Sequence, residues 1–143
     1  DFSFVGDSRG GFFGQHSARW VGEGRVLLFD NGTNFGSKPT GDTRVVEYQL
    51  DLEAMTATLV WQQNIFGTNA EYSGSVQRLD SGRTIVNWGS AQLLGGGGRA
   101  PTVSLFDEEG GPLTAISLPE GVYSYRAWAA EGDAIAGELY LAR

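Results

Sequence analysis

The sequence predicts an all-β fold, and this prediction depends on three observations. Glycine accounts for 22 of the 143 residues and proline for only 4, and the glycines lie between short apolar runs. These runs recur at intervals of roughly 8–15 residues, which is typical of short strands joined by turns. No window of helical length shows apolar residues at positions i, i+3, i+4 and i+7. We therefore expect strands and turns along the whole chain.

A series of predicted strands follows a glycine-rich opening segment. Residues 1–11 show no sustained alternation of apolar and polar residues, so we interpret them as a connecting loop. The predicted strands comprise residues 15–21, 25–30, 44–50, 56–62, 72–79, 83–88, 101–106, 113–118, 123–130 and 135–141. The tight turn at residues 22–24 joins the first two strands and predicts a hairpin.

The hairpin recurs later in the sequence, and the repeat indicates the architecture. Residues 17–31 align with residues 75–89 at a shift of 58, so that Gly24 coincides with Gly82. A further shift of about 50 residues places Gly132 at the same turn, and the third and fourth strands recur as well. Each unit is then a four-stranded antiparallel meander, and its length of roughly 50–58 residues matches one blade of a β-propeller.

We predict two blades and the opening part of a third. The predicted blades comprise residues 12–66, 67–120 and 121–143. Propellers have roughly four to eight blades, so 143 residues are too few to close a ring. Three interpretations stay open: a fragment of a longer chain, which we favour; copies that assemble into a ring; or a small sandwich or barrel that mimics the pattern.

The composition excludes several classes of function. The formal net charge is −7, and the 10 basic residues are scattered singly, whereas nucleic-acid binding needs clustered Lys and Arg. No apolar run approaches the roughly 18 residues of a membrane span. The absence of cysteine excludes disulfides and thiolate metal sites. With one histidine as well, we expect neither a metal site nor a cofactor.

The only histidine, His16, lies at the start of the first strand of the first unit. Gly74 and Ser124 occupy its position in the next two units. The first strand of each propeller blade lines the central channel, so His16 is expected to project into a space that the blades share. The alternative is a half-buried imidazole that bonds a neighbouring carbonyl. A neutral imidazole is a suitable nucleophile because no base has to remove a proton from the attacking nitrogen.

Six short segments carry a resemblance to a known family. They are residues 14–19 (GQHSAR), 28–32 (LFDNG), 44–48 (RVVEY), 57–61 (ATLVW), 72–77 (YSGSVQ) and 124–127 (SYRA). In this order they resemble the C-terminal part of the PAPS-independent arylsulfotransferase (aryl-sulfate sulfotransferase) family, over roughly residues 12–130. The resemblance implies a six-bladed propeller that is secreted or periplasmic. It also implies transfer of a sulfuryl group from a phenolic sulfate ester to a phenol through a sulfated histidine.

His16, in its Gln-His-Ser context, matches the nucleophilic histidine of that family. The resemblance therefore implies an aryl sulfate and a phenol as small-molecule partners. Family members carry further blades before this region, and these supply other histidines and an arginine to the active site. The remaining blades, or further copies of the chain, are accordingly expected partners, and we expect the activity of this chain alone to be incomplete.

Four further residues are candidates for the site. Sulfuryl transfer needs positive charge near the sulfuryl oxygens. The candidate cation is Arg126, which lies two residues past the position of the third unit that corresponds to His16. The alternative role of Arg126 is an ion pair with a surface carboxylate. Asn31 belongs to an Asn-Gly turn, and its functional alternative is to orient His16 or a substrate oxygen. Tyr72 and Ser75 begin the second inner strand and are predicted to hydrogen-bond a sulfate or a phenol, although such tyrosines commonly pack between blades.

A non-catalytic propeller module is the competing hypothesis. Glycine-rich loops at residues 32–43 and 89–100 are consistent with a partner or a glycan bound at the rim. A third hypothesis is a structural subunit that assembles into a ring. An enzyme is expected to gather His16 and cationic groups in the channel, whereas a binding module needs no such cluster.

Overall fold

In a computed structural model, the residues that can be described are 1–33, 41–65, 67–93, 100–119, 122–129 and 135–136. The strands in chain order are β1 (Ser3–Val5), β2 (His16–Trp20), β3 (Arg25–Asp30), β4 (Arg44–Asp51), β5 (Thr56–Asn64), β6 (Thr68–Asn69), β7 (Ser75–Arg78), β8 (Thr84–Asn87), β9 (Gln92–Leu93), β10 (Val103–Phe106), β11 (Pro112–Ile116), β12 (Trp128–Ala129) and β13 (Ile135–Ala136). Among the described residues no helix occurs, and hence none that could cross a membrane. The prediction of an all-β fold is confirmed.

Two sheets contain most of the strands. The first has the order β1-β5-β4-β3-β2, and β2 to β5 form an antiparallel meander. The second has the order β11-β10-β8-β7 and is a four-stranded antiparallel meander. Two-stranded ribbons pair β6 with β9 and β12 with β13. The two predicted meanders are therefore present in the chain order that the repeat indicated.

The opening segment differs from the connecting loop that we expected. Ser3–Val5 pairs in parallel with the start of β5, where Ser3 lies opposite Thr56. Phe2 and Phe4 pack against the apolar cluster formed on that side of the first sheet by residues such as Tyr48. The segment forms a strand because these aromatic contacts stabilise it. It was not predicted as a strand because three residues are too few to show an alternating pattern.

The third predicted unit is described only in part. Trp128–Ala129 pairs with Ile135–Ala136, within the predicted strands at 123–130 and 135–141. The turn at Gly132 and residues 137–143 lie outside the described residues, as do residues 34–40 and 94–99 of the two glycine-rich loops.

The main core lies between the two sheets. The buried cluster comprises Leu27, Phe29, Val45, Ala70, Val76, Val86, Trp88 and Phe106. Because side chains alternate across a strand, Leu27 and Phe29 face the second sheet, while Leu28 joins a second cluster beneath the opening segment. Both faces of β3 are thus buried, and each fully buried apolar side chain contributes about 1.5–3 kcal/mol to stability.

Gly74 lies directly before β7 and against the ring of Phe29 in the first sheet. Its φ is +120°, a left-handed conformation, and a Cβ atom there would overlap the ring of Phe29. We expect Gly74→Ala to lower the free energy of unfolding by about 3 kcal/mol, through overpacking and backbone strain. Urea denaturation measures this loss. Gly67→Ala is the matched control, because its φ is +72° and no atom lies within 4 Å of the added Cβ. Equal losses in the two variants would show that the contact with Phe29 does not matter.

Candidate functional site

His16 lies at the end of the first sheet where β3 ends. It is half-buried and is the first residue of β2. Its Nδ1 lies 2.7 Å from Asn31 Oδ1 and 3.0 Å from the carbonyl oxygen of Gly14. Within the described part of the chain, both hydrogen bonds of the His16 ring use Nδ1. Nε2, on the other side of the ring, has no hydrogen-bond partner there.

The amide of Asn31 determines which nitrogen of His16 carries the proton. Asn31 is fully buried, and its Nδ2 donates to the carbonyl oxygens of Ala70 at 2.8 Å and Ser73 at 3.0 Å. Carbonyl oxygens only accept, so this orientation of the amide is fixed and Oδ1 faces His16. Both partners of Nδ1 are then acceptors. Nδ1 carries the proton, and Nε2 keeps its lone pair.

The backbone around His16 is irregular, and the irregularity aims the ring. The pairing of β2 with β3 shifts register between His16 and Arg19, and Ser17 within this bulge has φ of +54°. Bulges redirect side chains and commonly occur near functional sites. Gly14 has φ of +67°, and a Cβ there would overlap the carbonyl oxygen of Thr33. A glycine is therefore needed where the chain delivers its carbonyl to His16.

The family is shown by sequence comparison. The family model described as Arylsulfotransferase (ASST) matches residues 7–126. The chain belongs to the arylsulfotransferase family. No curated protein and no solved structure matches it. The suspected family is therefore confirmed over a stretch that includes His16, Asn31 and the strands β2 to β11 of this arylsulfotransferase-family chain.

Of the other predicted site residues, Asn31 belongs to the hydrogen-bonded network around His16 and Tyr72 adjoins it in sequence. Asn31 bonds the ring directly, and Tyr72 precedes Ser73, whose carbonyl accepts from Asn31. The side chain of Tyr72 is largely exposed, and its backbone N–H and C=O both bond Ser90 Oγ. Asn31 contacts His16 as its orienting role requires, and its role, a turn residue or one that orients His16 or a substrate oxygen, stays a prediction.

Ser75 and Arg126 lie where the second sheet meets the third unit. Ser75 is buried, and its hydroxyl donates to Ala127 O at 3.2 Å and accepts from Ala127 N–H at 3.1 Å. Arg126 is exposed, with its guanidinium carbon 5.3 Å from the centre of the Tyr125 ring. Among the described residues no carboxylate pairs with Arg126, and neither residue contacts His16. Their roles as substrate contact and catalytic cation stay predictions.

A buried ion network binds the segment before His16, and it was not predicted from the sequence. Arg44 is 3% exposed and binds the buried carboxylates of Asp30 at 2.8 Å and Asp7 at 2.9 Å. Burial alone lowers the pKa of Arg44, but its hydrogen bonds to the two carboxylates outweigh burial and raise it. Burial and a hydrogen bond to Asp7 raise the pKa of Tyr48. Asp30 lies directly opposite Arg44 on paired strands, and this opposite-charge pair is the signal that could have revealed the network.

Asp7 makes the stability of this network depend on pH. Burial raises the pKa of Asp7, but hydrogen bonds from Arg44 and Tyr48 outweigh burial and lower it to about 2, from 3.8. A depressed carboxyl pKa stabilises the fold above the unfolded value, and this stabilisation is lost as pH falls from about 4 to about 2. We expect a loss of about 2 kcal/mol across this window. Urea denaturation at a series of pH values measures it, and Asp7→Asn should remove this part of the acid dependence. An unchanged acid dependence in Asp7→Asn would contradict the assignment.

No cluster suited to a metal ion occurs within the described ranges. Groups of three or more His, Cys, Asp or Glu side chains in a metal-binding arrangement are absent there.

Proposed function

We propose that this chain forms part of a β-propeller arylsulfotransferase, in which His16 carries a sulfuryl group from a phenolic sulfate ester to a phenol. Membership of the family supports the substrate class. The observation that carries the proposal is the hydrogen bond from His16 Nδ1 to the oriented amide of Asn31. It leaves Nε2 as a nucleophile with a free lone pair.

The first step forms a bond between Nε2 and sulfur. The lone pair of Nε2 attacks the sulfur atom of the aryl sulfate, the bond between sulfur and the phenolic oxygen breaks, and the phenolate leaves with that electron pair. The imidazole ring becomes positively charged because Nδ1 keeps its proton. The hydrogen bonds from Nδ1 to Asn31 Oδ1 and Gly14 O become charge-assisted and strengthen as this charge develops. Interactions that strengthen in this way lower the barrier.

The second step returns the histidine to its starting form. The oxygen of an acceptor phenol attacks sulfur, the bond to Nε2 breaks, and the phenolic proton passes to solvent or to a base. The three sulfuryl oxygens remain negatively charged throughout and need cationic or N–H partners. In the proposal Arg126 supplies one such charge, Tyr72 and Ser75 contact the substrate, and the remaining blades supply the other groups.

The arrangement of the two meanders supports the propeller architecture. The strands β2 and β7 each form one edge of their sheet, and the sheets pack face to face through a shared core. Asn31 bonds the segment before β7, and Asn87 likewise donates to Ser124 O in the segment before β12. The same kind of contact thus recurs between successive units, as expected for blades around an axis. Export of the protein is proposed from the family likeness alone.

Intact mass spectrometry tests the proposal. Protein is incubated with 4-nitrophenyl sulfate, and the mass of the chain and the solution mass of the assembly are measured on the same sample. We expect the mass of one sulfuryl group on wild type and none on His16→Ala, with the adduct retained in the control Gln15→Ala. An assembly well above the 15.3 kDa of one chain that takes up no sulfuryl group would contradict the enzyme and favour the binding module or the structural subunit.

A further inference from the structure

The carboxylate of Asp30 is fully buried, and among the described residues three hydrogen-bond donors bind it, while Arg9 adds an ion pair at 3.8 Å. Oδ1 accepts from the backbone N–H of Phe13 at 2.9 Å and of Gly32 at 3.0 Å. Oδ2 accepts from Arg44 Nε at 2.8 Å. A fully buried charge is retained only when such partners satisfy it.

The two backbone donors flank the two acceptors of His16. Phe13 immediately precedes Gly14, whose carbonyl accepts from Nδ1, and Gly32 immediately follows Asn31, whose Oδ1 accepts from Nδ1. One carboxylate oxygen therefore joins both segments that hold the ring. The position of His16 relative to its acceptors depends on this joint.

Arg44 fixes Asp30 from the other side. Besides its bond to Asp30, its guanidinium donates to the carbonyl of Gly11 at 2.9 Å and to the side chain of Gln62 at 3.0 Å. Asp7 accepts from both terminal nitrogens of the same guanidinium. Arg44 thus ties the segment before His16 to the end of β3, and the planar fork of arginine suits such a multiple contact.

We propose that Asp30 and Arg44 are positioning residues that hold Gly14 and Asn31 in place and thereby fix the tautomer of His16. Neither touches the ring, so both act through the two acceptors. Their importance for catalysis rests on the proposed function, but their effect on the tautomer does not. A purely structural ion pair would stabilise the sheet without influencing which nitrogen of His16 is protonated.

Long-range ¹H–¹⁵N NMR tests the proposal, since the chain contains a single histidine and gives one pair of ring signals. Spectra are recorded at about pH 8, above the ordinary titration range of histidine. The amide of Asp30→Asn has one NH₂ donor and one oxygen acceptor. If its oxygen accepts from Phe13 and Gly32, its NH₂ group faces the Nε–H donor of Arg44. In the opposite orientation, the backbone donors of Phe13 and Gly32 lose their acceptor. We expect the ratio of Nδ1–H to Nε2–H tautomers to fall about tenfold, the equivalent of one net hydrogen bond. Arg44→Lys keeps the charge but not the fork and should cause a smaller fall in the same direction.

Glu47→Gln is the matched control. Glu47 is a nearly buried carboxylate on the same strand as Arg44, and it accepts from Arg25 at 3.2 Å and Arg78 at 2.7 Å, away from His16. We expect its tautomer ratio to equal that of wild type. An unchanged ratio in Asp30→Asn and Arg44→Lys, or an equal change in Glu47→Gln, would overturn the proposal.

Dispersion of the amide signals shows whether each variant is folded. If Asp30→Asn is unfolded, the tautomer ratio of Arg44→Lys tests the positioning role. The tautomer ratio is measured without any aryl sulfate. Failure of sulfuryl uptake would therefore remove the proposed function and leave the positioning role intact. An unchanged tautomer ratio in Asp30→Asn and Arg44→Lys would remove the positioning role and leave the proposed function intact.

Discussion

Replacement of Asn31 by alanine is expected to slow sulfuryl uptake by His16 about 100-fold, the order of magnitude that a correctly placed proton-transfer or tautomer-fixing group contributes. The variant removes the acceptor of the 2.7 Å hydrogen bond from Nδ1. Only the carbonyl oxygen of Gly14 then holds the proton on Nδ1, so the ring more readily places its proton on Nε2, which blocks attack, and more readily turns away from the substrate. The positive charge that develops on the ring also loses a partner. The initial rate of adduct formation, followed by intact mass spectrometry, measures the effect.

Asn64→Ala is the control for this prediction. Asn64 is an exposed asparagine at the end of β5, and its side chain lies 3.5 Å from Asp42. Its replacement should leave the rate unchanged in an assembly of the same solution mass. An Asn31→Ala variant that took up the sulfuryl group as fast as wild type would show that Asn31 is only a turn residue.

Replacement of Arg44 by methionine is expected to destabilise the protein by about 3–5 kcal/mol. Methionine fills a similar volume but leaves the buried carboxylate of Asp7 without its cation and that of Asp30 with only the longer ion pair to Arg9, at 3.8 Å. The cost of an uncompensated buried charge exceeds the net stability that the intact pair contributes. Equilibrium urea denaturation at neutral pH measures the loss.

Arg25→Met is the corresponding control. Arg25 pairs with Glu23 and Glu47, but its side chain is 40% exposed and that of Glu23 is 82% exposed. Exposed ion pairs contribute little because solvent screens them, and Glu47 keeps Arg78 as its partner. The loss should be much smaller than for Arg44→Met. Equal losses of unfolding free energy in Arg44→Met and Arg25→Met would mean that burial does not determine how much the Arg44 network contributes to stability.

Turn chemistry and the repeat made the sheet arrangement predictable. The hairpin turns predicted at Gly24 and Gly82 both form, and each closes through a backbone hydrogen bond across the turn, from Arg25 to Gly22 and from Gly82 to Leu79. The strand β1 was not predictable from pattern, because three residues carry no period and its stability comes from packing on residues distant in the chain. The second inner strand begins later than predicted, at Ser75, because Ser73 and Gly74 have positive φ.

The candidate site was predictable only where side chains carry the signal. His16 stood out as the sole histidine in a recognisable phrase, and Asn31 stood out as part of an Asn-Gly turn. The carbonyl oxygens of Ala70 and Ser73, which fix the amide of Asn31, belong to the backbone of the next unit. Backbone acceptors leave no trace in residue type, so the tautomer of His16 could be derived only from the folded arrangement.

The tautomer of His16 in the wild-type protein tests the central claim most directly. Long-range ¹H–¹⁵N NMR at about pH 8 distinguishes a protonated ring nitrogen from one with a free lone pair, and the single histidine removes any ambiguity of assignment. We predict a protonated Nδ1 and an unprotonated Nε2. A ring protonated at Nε2, or one that averages between both forms, would contradict the hydrogen bond to Asn31 and remove the basis for His16 as the sulfuryl acceptor.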